Sequence, residues 1–249
     1  MIFATIVAVA AIIAGAIAAV AGFGIGSILT PLLALHFGTK LAVAIAAVPH
    51  LIGTIWRFIS LRRHVDRMVL IRFGILSAAG GLIGALLNAK ANSGWLTLVF
   101  AALLLFAGIT GITGVAERMH FGRKTAWGAG ALSGLFGGLV GNQGGIRSAA
   151  LLGFDIPKES FVATATAIAL VVDAARLPVY LWTEHHKMFS TWPLMLVAAV
   201  GVLIGTIGGV RLLRRIPERI FRRAVSGLIL ALGVYMLIRG IGEIRGMAL

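Results

Sequence analysis

Residues 134–152 read GLFGGLVGNQGGIRSAALL. Apolar, helix-like sequence runs into this stretch and out of it. Its centre, Gly141-Asn142-Gln143-Gly144-Gly145, is a poor helix former. Glycine loses the most backbone freedom in a helix, and asparagine competes for backbone hydrogen bonds. Arg147 follows two residues after the last of these glycines. In water the segment would be a turn. The composition of the chain puts it somewhere else.

Of 249 residues, 59% are apolar and 12% charged. A soluble domain carries about 25% charged residues. Apolar stretches of about 18 residues or more recur along the whole chain, which is the signature of membrane-spanning segments. They lack the strict alternation of barrel strands, so the spans are helices that satisfy their own backbone. The formal charge of +14 sits mostly in short basic loops at 60–67, 117–124 and 211–223. Such loops orient a membrane protein and mark its cytoplasmic side, so the charge does not indicate nucleic acid. There is no cysteine, hence no disulfide and no thiolate chemistry. The N-terminus has no basic leader region and reads as the start of a retained helix.

The spans follow in order. Residues 2–20 are apolar, 21–27 interrupt them with glycines, and 28–37 form a shorter apolar piece. A turn at 38–40 leads to a span at 41–59 that carries Pro49 and His50. Further spans are expected at 68–87, 95–113, 161–182, 192–210 and 224–238. Between them, 127–140 runs into the opening motif and 146–154 leaves it as a short arm. Residues 88–94 and the nearly neutral 184–188 read as loops. Trp56, Trp95, Trp127, Trp182 and Trp192 lie near span ends, as in an interfacial aromatic belt.

The chain repeats itself. A shift of 119 residues places Gly15 on Gly134, Gly22 on Gly141, Gly26 on Gly145 and Arg57 on Arg176. A shift of 121 places Gly80 and Gly84, spaced for close helix approach, on Gly201 and Gly205, and Lys90 on Arg211. With all three basic loops in the cytoplasm, residues 125–159 start and end inside, so they form a hairpin that turns at 141–145. By the same count, 1–40 start and end outside. Each half then holds a broken-helix hairpin plus three transmembrane helices, and the halves are inverted, as in many secondary transporters. The expected fold is an all-α polytopic membrane protein with two inverted repeats, 1–118 and 119–249, and the N-terminus outside. Arg239 and Arg245 on the outer side count against this orientation. Eight plain spans in parallel repeats are the competing reading.

A helix end inside a membrane leaves free N–H groups that favour an anion. Gly24, Gly26 and Ser27 line the first break, with Thr30 one turn on; Gly141, Asn142, Gln143, Gly144, Gly145 and Arg147 line the second. Arg147 offers a fork of donors suited to an oxyanion, or else bonds helix-end carbonyls. A mid-membrane arginine costs about 2.5–3.5 kcal/mol on insertion scales, so it needs a partner. Asp173 and Arg176 stand three apart and can pair on one helix face. Arg57 stands near the cytoplasmic end of its helix, where it can snorkel, or form with Arg176 two mouths of an anion route. His50 is a candidate proton carrier or a simple interhelix donor. Thr164 and Thr166 are hydroxyls on the same helix as Asp173. There is no HExxH motif and no paired intramembrane acid, so enzyme chemistry has no support here.

The two breaks carry a resemblance. Gly22-Phe23-Gly24-Ile25-Gly26-Ser27-Ile28-Leu29-Thr30-Pro31-Leu32 and Gly137-Gly138-Leu139-Val140-Gly141-Asn142-Gln143-Gly144-Gly145-Ile146-Arg147 resemble the glycine-rich motifs that open each half of the TauE/SafE family of sulfite exporters. The likeness covers essentially the whole chain. Ser27 departs from the family's glycine, and Ala150 stands where the repeat would place a counterpart of Pro31. The resemblance implies a bacterial inner-membrane transporter of sulfite, thiosulfate or an organosulfonate such as sulfoacetate. It implies no cofactor. The expected partners are a small anion, membrane lipid and a coupling proton or sodium ion. An anion channel and a non-transporting membrane scaffold are the alternatives.

Overall fold

The computed structural model describes residues 1–115, 123–151, 154, 156–213 and 218–246. The division at 118/119, residues 117–122 of the second basic loop and 214–217 of the third lie outside the described residues. Among the described residues all regular structure is helical: α1 (Ile2–Ala21), α2 (Ile25–Leu61), α3 (Arg67–Lys90), α4 (Ser93–Thr113), α5 (Arg123–Val140), α6 (Gly144–Leu151), α7 (Lys158–Ser190), α8 (Trp192–Leu213) and α9 (Glu218–Ile244). Six stretches among them are long and apolar enough to cross a bilayer. The protein is an all-α, multi-pass membrane protein.

Two helix lengths decide the layout. At 37 residues, a straight α2 would be roughly 55 Å long, against a hydrocarbon core of about 30 Å. It is not straight: Gly38 leaves the helix at φ 74, ψ 156. The break divides α2 into an arm of about 20 Å (25–37) and a span of about 34 Å (39–61). The eight residues of α6 reach only about 12 Å and cannot cross. Each half therefore reads helix, glycine break, short arm, second interruption, long helix.

Some boundaries differ from those expected. Residues 184–188 are not a loop: α7 continues to Ser190, and Thr191 alone separates it from α8. Charge suggested a loop there, but the sequence EHHK contains no helix breaker, and Glu184 pairs with Lys187 one turn on at 3.4 Å. Likewise α9 extends well beyond 224–238, and Arg239 is held by Glu243 at 2.7 Å.

The helices pack across the sequence midpoint. α1 lies parallel to α8, and α5 lies parallel to α3. A Cβ on Gly15 would come within 2.3 Å of the Val202 carbonyl oxygen, and one on Gly134 within 1.9 Å of the Ser77 carbonyl oxygen. On the facing helices, Gly205 meets the Ile12 carbonyl and Gly80 meets the Ala131 carbonyl at 1.9 and 2.2 Å in the same sense. Approach this close requires a hydrogen in place of a side chain. These four contacts are equivalent in pairs when α3 is shifted by 125 onto α8, not by 121. Gly80 thus plays the role of Gly205. The expected register was one helical turn out, because a stripe of glycines four apart still matches itself after a slip of four.

α4 and α9 cross antiparallel. Gly108 abuts Leu230, and Gly233 abuts Leu105, which is again a shift of 125. Phe100, Leu104, Leu29, Leu33 and Val202 fill the larger core on the α1, α4 and α8 side, and Phe73, Leu151 and Ile168 a smaller one between α3, α6 and α7.

Candidate functional site

The two glycine breaks are the same turn made twice. Gly22 has φ 78 and Gly141 φ 76, a left-handed conformation open to glycine at no steric cost. The Gly22 amide donates to the Ala18 carbonyl at 2.9 Å, and Gly141 donates to Gly137 at 3.1 Å. Helix resumes three residues later in each, with Ile28 donating to Gly24 at 3.1 Å and Arg147 donating to Gln143 at 3.0 Å.

The breaks touch one another. A Cβ on Gly26 would fall 2.2 Å from the Gly141 carbonyl oxygen, and one on Gly144 2.2 Å from the Phe23 Cβ. The Ser27 hydroxyl donates to Asn142 Oδ1 at 3.3 Å. Arg147 Nη2 donates to the Gly22 carbonyl at 3.3 Å. Gly24 sits beside these at φ 134, and Gly145 faces Ala107 of α4. Thr30 points at Gly141 from the first arm. The substrate-binding residues expected from the sequence therefore come together at one place, drawn from both halves.

Two arginines cap the helices that enter the breaks. Arg57 Nη1 donates to Ala18 O at 2.5 Å, and Arg176 Nη1 donates to Gly137 O at 2.5 Å. The donors are 119 residues apart and so are the acceptors. Each of these carbonyls already accepts the amide of Gly22 or Gly141 and takes the guanidinium on its second lone pair. This overturns the snorkelling expected of Arg57: its side chain turns inward and is only 5% exposed. Because α1 ends inside the protein, its terminal carbonyls draw the guanidinium in.

The caps differ in what stands three residues before them. Arg176 is held by Asp173, with Nη2 at 2.8 Å and Nε at 3.0 Å from Oδ1. The other carboxylate oxygen lies 2.6 Å from His50 Nδ1. Arg57 has Thr54 in the equivalent place, with Nη2 donating to its hydroxyl at 3.3 Å. Thr54 in turn lies 3.5 Å from His50 Nδ1. The result is one polar chain, Arg57–Thr54–His50–Asp173–Arg176, running between the two breaks. Tyr180, one turn beyond Arg176, donates its hydroxyl to the Gly138 carbonyl. Neither Thr54 nor Tyr180 was singled out from the sequence. Thr54 is found by applying the 119 shift to Asp173, and Tyr180 by its position four residues after Arg176.

Thr164 is placed elsewhere: its hydroxyl accepts a hydrogen bond from the Asp66 amide at 2.9 Å, at the start of α3. Thr166 bonds back to Val162 of its own helix at 2.8 Å.

Several buried polar atoms where the breaks meet have no partner. They are Arg147 Nε and Nη1, Gln143 Oε1 and Nε2, Thr30 Oγ1, and Nε of Arg57. Arg147 is only 2% exposed. Unpaired buried donors of this kind cost about 1–3 kcal/mol each, more when charged. A small oxyanion would accept from the donors among them. The hollow beside the second break, lined by Leu103, Phe106, Asn142, Gln143 and Ile146, has room for little more than a water molecule, so the site is closed in this structure.

The model of the sulfite exporter TauE/SafE family matches residues 7–236. No curated protein and no solved structure is matched. With nearly its whole length covered, the chain belongs to the TauE/SafE sulfite exporter family.

Proposed function

We propose that this TauE/SafE family member is a secondary transporter that moves a small oxyanion across the bacterial inner membrane. The substrate class is sulfite, thiosulfate or an organosulfonate. The observation that carries this reading is Arg147: a guanidinium buried where two broken helices meet, with Nε and Nη1 unpartnered. Gln143, Asn142, Ser27 and Thr30 add polar groups, and the glycines let the anion approach the backbone.

Alternating access between two inverted halves supplies the mechanism. Its support is the packing: α4 and α9 are equivalent under a shift of 125 and run antiparallel, as inverted copies would. Opening on either side would move a hairpin away from the helices that cover it and expose the anion to that side. The Arg57–Thr54–His50–Asp173–Arg176 chain ties the two halves together beside the site. Protonation at His50 or Asp173 would alter that tie, which makes the pair the candidate coupling element for a proton. The distribution of the basic loops supports an N-terminus on the outer side.

The test is flux in proteoliposomes. Uptake of sulfite or thiosulfate against a gradient, driven by a pH difference and reduced at least about tenfold in Arg147→Ala, is expected of the transporter. Flux that only dissipates gradients identifies a channel. No flux of any oxyanion, with Arg147→Ala silent in cells, identifies a scaffold.

A further inference from the structure

The charges around the two breaks do not balance. Besides Tyr180, five titratable side chains are buried there: His50, Arg57, Arg147, Asp173 and Arg176. Both oxygens of Asp173 are in use, Oδ1 by Arg176 at 2.8 Å and Oδ2 by His50 at 2.6 Å. The remaining buried acid among the described residues, Glu184, is held at the other end of α7 by Lys40 at 3.9 Å and Lys187 at 3.4 Å. No carboxylate among the described residues is left for Arg57 or Arg147. Three guanidinium groups against one carboxylate leave an excess of two positive charges with His50 neutral, and more with His50 protonated.

The two unmatched cations also face the same feature. Arg57 bonds the Ala18 carbonyl and Arg147 bonds the Gly22 carbonyl, four residues apart at the end of α1. Both keep unpartnered N–H groups, Nε on Arg57 and Nε with Nη1 on Arg147. The second half shows what a matched site looks like: there the position three before the arginine is Asp173. In the first half that position is Thr54, which offers a hydroxyl and no charge.

We infer that the site selects a doubly charged oxyanion over a singly charged one of similar size, with Arg57 as the second guanidinium that sets this selectivity. The inference rests on the proposed anion site at Arg147 and adds its charge. A dianion neutralises both unmatched arginines. A monoanion leaves one buried cation uncompensated, in surroundings where charges are weakly screened. The threonine at 54 is what keeps Arg57 free for the substrate.

Calorimetric titration of the purified full-length protein tests this without any variant. Sulfate and thiosulfate serve as dianions, methanesulfonate and nitrate as monoanions, at one ionic strength so that screening is equal. The dianions are expected to bind on the order of a hundredfold more tightly, the effect of one further close charge. Monoanions binding as well as dianions would overturn the charge assignment while leaving an anion site in place. No binding by any of the four would remove the anion site and this inference with it. Thr54→Asp gives Arg57 the partner that Arg176 already has, and is expected to bring dianion affinity down to the monoanion level. Where that variant does not yield folded protein, Arg57→Gln removes the same charge and keeps a donor for Ala18. Persistence of the full dianion preference in either folded variant would overturn the role given to Arg57.

Discussion

Asp173 holds the polar chain together, because its two oxygens serve Arg176 and His50 at once. Asp173→Asn leaves a buried arginine without its counter-charge. Breaking a buried pair from one side costs about 3–5 kcal/mol, so a clear fall in unfolding temperature in detergent is expected. Tyr180→Phe removes one hydrogen bond to the Gly138 carbonyl. Its expected cost is about 1–3 kcal/mol, for a buried acceptor left unpaired, and the same thermal assay measures it. An unchanged midpoint would mean the carbonyl finds another donor. At this scale the sequence was partly legible. The spacing of Asp173 and Arg176 announces their pairing, and the density of glycines around Arg147 announces a break. The inward turn of Arg57 was not legible. It depends on α1 ending beside that helix, and the two meet only in three dimensions, 39 residues apart.

Glycine acts in two distinct ways in these helices. Gly141 is needed for its conformation, φ 76. Gly141→Ala forces a left-handed backbone at about 1–2 kcal/mol, and should weaken anion binding because it distorts the turn that places Asn142 and Gln143. Gly80 and Gly205 are needed for space. A methyl at either meets a backbone carbonyl at 2.2 or 1.9 Å, so Gly80→Ala and Gly205→Ala should each lower stability by a similar amount. Gly208 provides the control: a Cβ there meets nothing within 4 Å, and Gly208→Ala should leave the melting temperature unchanged or raise it slightly. Equal tolerance of all three would contradict the close packing of α1 on α8 and α3 on α5. The existence of these helices and the position of both breaks could be read from apolar runs and glycine clusters. The register between α3 and α8 could not. A four-residue glycine stripe is its own image after one helical turn, and only the carbonyls it touches fix the match.

For the whole molecule, the two halves are interleaved. The first hairpin rests on a helix of the second half, and the second hairpin on a helix of the first. Under the proposed alternating access, an opening that exposes the breaks to one side would shift contacts made by both halves. The proposed inverted arrangement makes a separate prediction about sidedness. The chain contains no cysteine, so single substitutions give clean labels. His64→Cys, in the turn before α3, should react with an impermeant reagent only from the cytoplasm. His185→Cys, near the end of α7, should react only from outside. Both side chains are exposed. Labelling of the two from the same side would contradict the orientation. The orientation itself is an expectation from the basic loops, because charge at the membrane surface is a matter of composition. The meeting of the two breaks depended on packing between distant segments, and composition does not record it.

The most direct test of the central claim is anion binding to the purified protein, compared between wild type and Arg147→Ala. Sulfite, thiosulfate and sulfoacetate would be titrated at matched ionic strength, with thermal unfolding run in parallel on both proteins. Saturable binding by wild type, lost in a mutant that still folds, is the predicted result. It would place the anion at the junction of the two broken helices. A folded Arg147→Ala protein that binds as well as wild type would contradict the account, and would leave Arg147 as a brace for the Gly22 carbonyl.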